Sequence, residues 1–160
     1  MKTFFRSIGV IHSPFKDLDD MPIQPTGEAS APATAEVSPE FVEGLQDLDG
    51  FSHIILIYHL HASTGTRLTV TPFLGSVPRG IFATRAPSRP NPIGLSIVKL
   101  VKIEGNILHL SDVDILDGTP VLDIKPYVPE FDAPIDVRVG WLEAQRGRVK
   151  TARSDKRFNS

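Results

Sequence analysis

Proline falls throughout this chain, fourteen times in 160 residues, and twelve glycines are scattered with it, so little uninterrupted length is left for a long helix. What lies between the interruptions is short and apolar. Phe5–Ser13, Ala33–Val37, Phe51–His61, Leu68–Val70, Gly80–Thr84, Leu95–Ile103, Ile107–Ile115, Val121–Pro126 and Ile135–Val139 read as strands bounded by turn residues. Glu104-Gly105-Asn106, between Leu95–Ile103 and Ile107–Ile115, suits a hairpin. Only Pro39–Leu48 has a helical pattern, with Phe41, Leu45 and Leu48 recurring on one face, Ser38 as N-cap and proline at the first helical position. The expected fold is mainly β: a small single-domain β-barrel of short, largely antiparallel strands with one short helix. Closure into a barrel is the economical way to leave no sheet edge exposed. The crossover helices of a doubly wound α/β fold are missing.

With 41% hydrophobic and 22% charged residues, the chain can bury one core but has no room for a large second domain. The net charge of −2 is unevenly spread. Residues 141–160 carry Arg146, Arg148, Lys150, Arg153, Lys156 and Arg157 against Glu143 and Asp155, which leaves −6 on residues 1–140. The expected division is a barrel domain over 1–140 and a basic tail over 141–160. Such a tail is either a solvated end or a tracker of phosphate, whose neutralisation releases counterions. No cysteine is present, which excludes disulfides, thiolate catalysis and cysteine metal sites. Arg6 and His12 interrupt the apolar N-terminus, and the longest apolar run, Ile54–Tyr58, is of strand length. No signal peptide and no membrane span are expected, and the expected location is cytoplasmic.

The segment Arg79–Ser96, RGIFATRAPSRPNPIGLS, joins two apolar runs through an unusually stiff loop. Pro87, Pro90 and Pro92 fix the backbone and remove three donors, so the loop is expected to hold its shape largely without hydrogen bonds of its own. Arg85, Arg89 and Asn91 are then free to face an anionic, planar partner. Met21-Pro22-Ile23-Gln24-Pro25 is a second proline-braced loop, and Asp112–Pro120 ends a strand in an acidic turn. Asp117-Gly118 and Thr119-Pro120 are ordinary turn signals, consistent with a tight connection capped by Asp117; the surplus aspartates could also face a cation or a ribose. His59 and His61 share a strand face with His53, yet no further ligand pair has matching spacing, so they read as a polar wall and no metal is expected. There is no GxGxxG, no GxxxxGK[ST] and no G-x-S-x-G, so a nucleotide-like ligand must be held by other means.

Taken together, SIGVIHSPFKD, MPIQP, EFVEGLQDLDGFSHIILIYHLH, RGIFATRAPSRPNPIGLS and DVDILDGTPVLDIKPYVPEFD resemble the TsaA-like family of S-adenosylmethionine-dependent tRNA methyltransferases. The match runs from about Ser7 to Asp132. The resemblance implies a small β-barrel, usually dimeric, that binds S-adenosylmethionine without a dinucleotide fingerprint. It implies methyl transfer to N6 of threonylcarbamoyladenosine beside the tRNA anticodon. Longer bacterial members carry an additional C-terminal domain, whereas this sequence stops soon after GWLEAQRGRVKTARSDKRF, which leaves a small molecule or another RNA as an alternative substrate. A barrel that binds cofactor or RNA without catalysis is a further alternative. By resemblance the cofactor contacts are Gln24, Pro25, His59, Leu60, Arg85, Leu95, Asp114, Ile115, Leu116, Asp117, Gly118 and Thr119. Arg85 suits a carboxylate or phosphate, because its planar fork pairs with either. Arg89, Asn91, Arg146 and Arg148 are candidate RNA contacts. The proton lost from N6 needs an acceptor, and Asp114, Asp117 and His59 are the unranked candidates, His59 having the most suitable ordinary pKa.

Overall fold

The computed structural model describes residues 1–20 and 31–145 of the chain. Among the described residues eight strands form: β1 (Gly9–His12), β2 (Ala31–Val37), β3 (His53–His59), β4 (Thr69–Val70), β5 (Arg79–Gly80), β6 (Ile93–Glu104), β7 (Ile107–Val113) and β8 (Pro120–Pro126). Six of them close into an antiparallel barrel in the order β1-β2-β7-β6-β3-β8, and β4 with β5 makes a two-stranded annex. The mainly β barrel expected from the sequence is therefore the fold.

Alternation decides which side chains enter the barrel. Ile54, Leu56 and Tyr58 of β3 point in, as do Ser96, Val98 and Leu100 of β6, Leu108 and Leu110 of β7, and Ala33, Ala35 and Val37 of β2. The histidines of β3 take the other parity. The β6–β7 hairpin turns through Gly105, whose φ of 62° is in the left-handed region that glycine tolerates. On β7 the pairing with β2 slips between Leu110 and Val113, where Asp112 adopts φ 60°. This bulge inserts one residue, so Val113 and Ile115 continue into the core and Asp114 follows the end of the strand.

Three local expectations are corrected. Pro39–Leu48 is a 3-10 helix over Pro39–Leu45 followed by a second over Leu48–Gly50, and Ser38 makes no side-chain cap. Asp47 at φ 63° separates the two, while Phe41, Leu45 and Leu48 still pack on the core, so burial and not α-helical hydrogen bonding holds the segment. Gly80–Thr84 leaves the strand after Gly80 and turns as a 3-10 helix, Ile81–Ala83, because only Ile81 finds a buried site. Ile135–Val139 is exposed and pairs with no strand among the described residues, and the preceding Pro129–Asp132 is a single α-helical turn. Of the basic tail, the described part belongs to the 3-10 helix Gly140–Gln145, docked by Trp141 Nε1 donating to the Ala83 carbonyl at 2.8 Å, with the Arg79 guanidinium over the indole.

Candidate functional site at one end of the barrel

Antiparallel order brings the end of β3, the start of β6, the end of β7 and the start of β8 to the same rim. The Arg79–Ser96 segment leads into β6 at that rim. A cavity of about 300 Å3 opens there, lined by Tyr58 within and Leu60 just after β3, by Thr84, Arg85 and Arg89 of the loop, by Ile93, Gly94 and Leu95 of β6, and by Asp114.

The loop wall is rigid, though not for want of hydrogen bonds as expected. Arg89 Nη1 donates to the carbonyls of Ile81, Thr84 and Ala86 at 3.2, 2.9 and 3.4 Å, lacing the loop to itself. Residues before β4 lace it from outside: Leu60 N–H donates to the Pro92 carbonyl at 2.7 Å, the Ser63 hydroxyl to that of Pro87 at 2.9 Å, and Arg67 N–H to that of buried Ser88 at 3.0 Å. Prolines remove donors from the loop, and neighbours supply them instead.

At the floor of the cavity the Ser96 hydroxyl donates to Asp114 Oδ1 at 2.6 Å, and Tyr58 Oη lies 3.0 Å from Ser96 Oγ. Burial pushes the Asp114 carboxyl up to about 6, opposed by the Ser96 hydrogen bond and by the nearby Arg85 guanidinium. Burial, with the Asp114 charge, also drives the Tyr58 phenol far above its ordinary value, so it stays protonated. Asp117 is the opposite case. Lys16 Nζ sits 2.6 Å from its Oδ2 and the Ser13 N–H donates to Oδ1 at 2.9 Å, and these partners hold its carboxyl below the usual range. Asp117 therefore fastens the Leu116–Thr119 turn to the end of β1, where Gly118 N–H also donates to the Ile11 carbonyl at 2.8 Å.

Of the residues singled out in the sequence, the cavity gathers Leu60, Arg85, Arg89, Leu95 and Asp114. Ile115 is buried in the core beneath it. His59 and Asn91 are exposed and do not line the cavity, and Leu116, Asp117, Gly118 and Thr119 form the neighbouring turn, which His61 Nδ1 touches at Thr119 Oγ1, 3.3 Å away. Gln24, Pro25, Arg146 and Arg148 lie outside the described residues. Tyr58, Thr84, Ile93 and Ser96 were not singled out from the sequence as site residues. Ser96 was legible as a hydroxyl at an inward position shared with Val98 and Leu100; Tyr58 shares the inward parity of Ile54 and Leu56.

The donor set is mixed: one exposed guanidinium, one half-buried carboxyl and an apolar wall from Leu60, Ile93 and Leu95. Such a cavity complements a ligand that carries both signs of charge and a flat apolar body. Among the described residues no helix is long and apolar enough to cross a membrane, and no group of three or more acidic or histidine side chains is placed to hold a metal.

Comparison with known proteins agrees with this fold. The family model of the tRNA-methyltransferase O N-terminal domain matches residues 10–133, a span containing every residue that lines the cavity. A probable S-adenosyl-L-methionine-binding protein of Pyrococcus abyssi is 57% identical over 156 residues, covering 98% of this chain and 85% of the relative. The tRNA (adenine(37)-N6)-methyltransferase of Mus musculus is 38% identical over 141 residues, covering 82% of this chain and 32% of the mouse protein. The crystal structure of TrmO from Pseudomonas aeruginosa superposes with a TM-score of 0.74 at 42% identity, covering 88% of this chain and 63% of that one. This chain thus spans less than two thirds of the TrmO chain and about a third of the mouse enzyme. It belongs to the family defined by the tRNA-methyltransferase O N-terminal domain.

Proposed function

We propose that this chain binds S-adenosylmethionine in the rim cavity and methylates N6 of threonylcarbamoyladenosine next to the tRNA anticodon. The observation that carries the reading is that the Arg85 guanidinium and the half-buried Asp114 carboxyl line one cavity. S-adenosylmethionine offers a carboxylate, a sulfonium and an adenine, which match a guanidinium, a carboxyl and an apolar wall. Arg85 would take the carboxylate, and Leu60, Ile93 and Leu95 the adenine face. Gln24, Pro25 and the Ile115–Thr119 segment would complete the enclosure, and His59 with Asn91 would border its mouth. When bound, the cofactor supplies an electrophilic methyl whose bond to sulfur breaks with the electron pair staying on sulfur.

The proton shed by the accepting nitrogen goes, in this reading, to Asp114. Its carboxyl titrates nearest to neutrality of the candidate acids, whereas Asp117 is tied to Lys16 and Ser13. Arg89 would brace the wall, and Arg146 and Arg148 would meet RNA phosphates. The protein would work as a cytoplasmic homodimer, its exposed apolar strand β6 providing the contact surface.

Calorimetry with S-adenosylmethionine tests the cavity, and Arg85→Ala should weaken binding at least about tenfold, the worth of a charge-assisted hydrogen bond. Unchanged affinity would remove Arg85 from the cofactor contacts. Transfer of labelled methyl to tRNA bearing threonylcarbamoyladenosine, read by nucleoside mass spectrometry, tests the reaction. Tight binding with no methylated nucleoside would leave a binding protein, and methylation elsewhere would redirect the substrate.

A further inference from the structure

Tyr58, Ser96 and Asp114 come from β3, β6 and the segment after β7, and they meet in one line at the cavity floor. A serine hydroxyl has one proton to give, and an ionised carboxylate can only accept. With Ser96 Oγ 2.6 Å from Asp114 Oδ1, the serine proton is spent on the carboxylate. Tyr58 Oη must then donate to Ser96 Oγ across their 3.0 Å separation. The two hydroxyls are aligned by pairing, since Leu56 stands opposite Ser96 and Tyr58 opposite Gly94 in the β3–β6 ladder. The tyrosine ring crosses directly over Gly94, where any Cβ would collide with it. Ser96 and Tyr58 are 1% and 7% exposed, so water does not substitute for either donor.

We infer that Tyr58 and Ser96 form a one-way relay, Tyr58 to Ser96 to Asp114, that holds the Asp114 carboxyl toward the cavity and favours its charged, proton-accepting form. Both hydroxyls are positioning residues for the reaction proposed above, on which this inference rests for its catalytic meaning. Ser96 takes Oδ1 and leaves Oδ2 as the oxygen not used by the relay. Donation to the charged form opposes the cost of burial, and Arg85 opposes it from the cavity side. The groups facing the carboxyl are Ser96, Tyr58 and Arg85, with Arg89 on the same cavity wall. A buried hydroxyl pair with only a packing role would leave the titration of Asp114 where it is.

The experiment follows the Asp114 side-chain carbon by NMR against pH in cofactor-free protein labelled at aspartate, with Asp114→Asn to assign the signal. Ser96→Ala should move the midpoint upward by about one unit, and Tyr58→Phe in the same direction by less, since it acts through Ser96. Ser96→Thr, which keeps a hydroxyl, should return it toward the starting value. Midpoints unchanged in both Ser96→Ala and Tyr58→Phe would overturn the relay. If one variant does not fold, the other decides, because each is read against its own melting curve. In turnover assays both variants should lower kcat, shift the acidic limb of the pH profile upward, and leave cofactor KM nearly unchanged. Because the titration needs neither cofactor nor tRNA, shifted midpoints without methyl transfer would uphold the relay and sink the reaction. Methyl transfer without shifted midpoints would do the reverse.

Discussion

Asp114 and Asp117 stand three residues apart, and the fold moves their carboxyls in opposite directions. Burial raises Asp114 to about 6, so its charged form destabilises the fold at neutral pH, and the native state gains relative stability as pH falls from that value toward the unfolded one. Lys16 and Ser13 lower Asp117, so its contribution is present above the unfolded value and is lost as pH falls through the lowered one. Asp114→Asn keeps an acceptor for Ser96 and removes the buried charge. It should stabilise the protein on the order of 1–3 kcal/mol at pH 8, the free-energy equivalent of a shift of this size, while cutting methyl transfer at least about 100-fold. Thermal melts should show the gain at pH 8, its decline as pH falls below about 6, and its disappearance only below the unfolded carboxyl value, by about pH 3. Equal melting temperatures at pH 8 would mean that the carboxyl is not strained by burial. Spacing alone left Asp114, Asp117 and His59 level as acceptors, because spacing carries no information about which carboxyl a lysine reaches.

Strands β3 and β6 carry the site, and their pairing depends on a position without a side chain. Tyr58 lies over Gly94 of the facing strand, so Gly94→Ala must push the ring from the core and part Tyr58 from Ser96. Overpacking of this kind costs about 1–3 kcal/mol, to be read as a lower urea midpoint, with cofactor affinity falling alongside. An unchanged midpoint would show that the ring moves freely. The barrel strands were legible because alternation and turn residues coincide: the β6–β7 hairpin and β3 lie where the apolar pattern put them, to within a few residues. The segment Pro39–Leu48 was less so. Its apolar spacing is real and Phe41 packs on the core, but spacings of three and four serve a 3-10 turn as well as an α-helix, and Asp47 breaks the run. Ile135–Val139 alternates like a strand yet finds no partner strand among the described residues, since pairing in a closed barrel is already complete. Arg89 looked free for a ligand because sequence does not show that the loop curls around its Nη1.

Closing the barrel removes its edges but leaves an outer face, and on β3 and β6 that face is apolar. Ile55 stands opposite Ile97 and Ile57 opposite Leu95, with Ile93 extending the strip to the rim and Lys99, opposite His53, ending it before Val101; Leu95 is 48% and Ile93 40% exposed. Clustered apolar side chains of this kind mark contact surfaces, and a second copy of the same strip is a self-complementary cover. The homodimer proposed above uses this surface. Ile97→Glu places a charge at its centre without touching the core, so sedimentation velocity should show the dimer giving way to monomer across micromolar concentrations while the β signal in circular dichroism persists. A wild-type protein that sediments as a monomer throughout that range would remove the proposal. Ile93 and Leu95 belong both to the strip and to the cavity lining, so association and ligand binding share two residues. The monomeric variant should therefore bind S-adenosylmethionine more weakly, by about tenfold if the loss matches one buried side chain, and restoring dimer by raising protein concentration should recover the affinity.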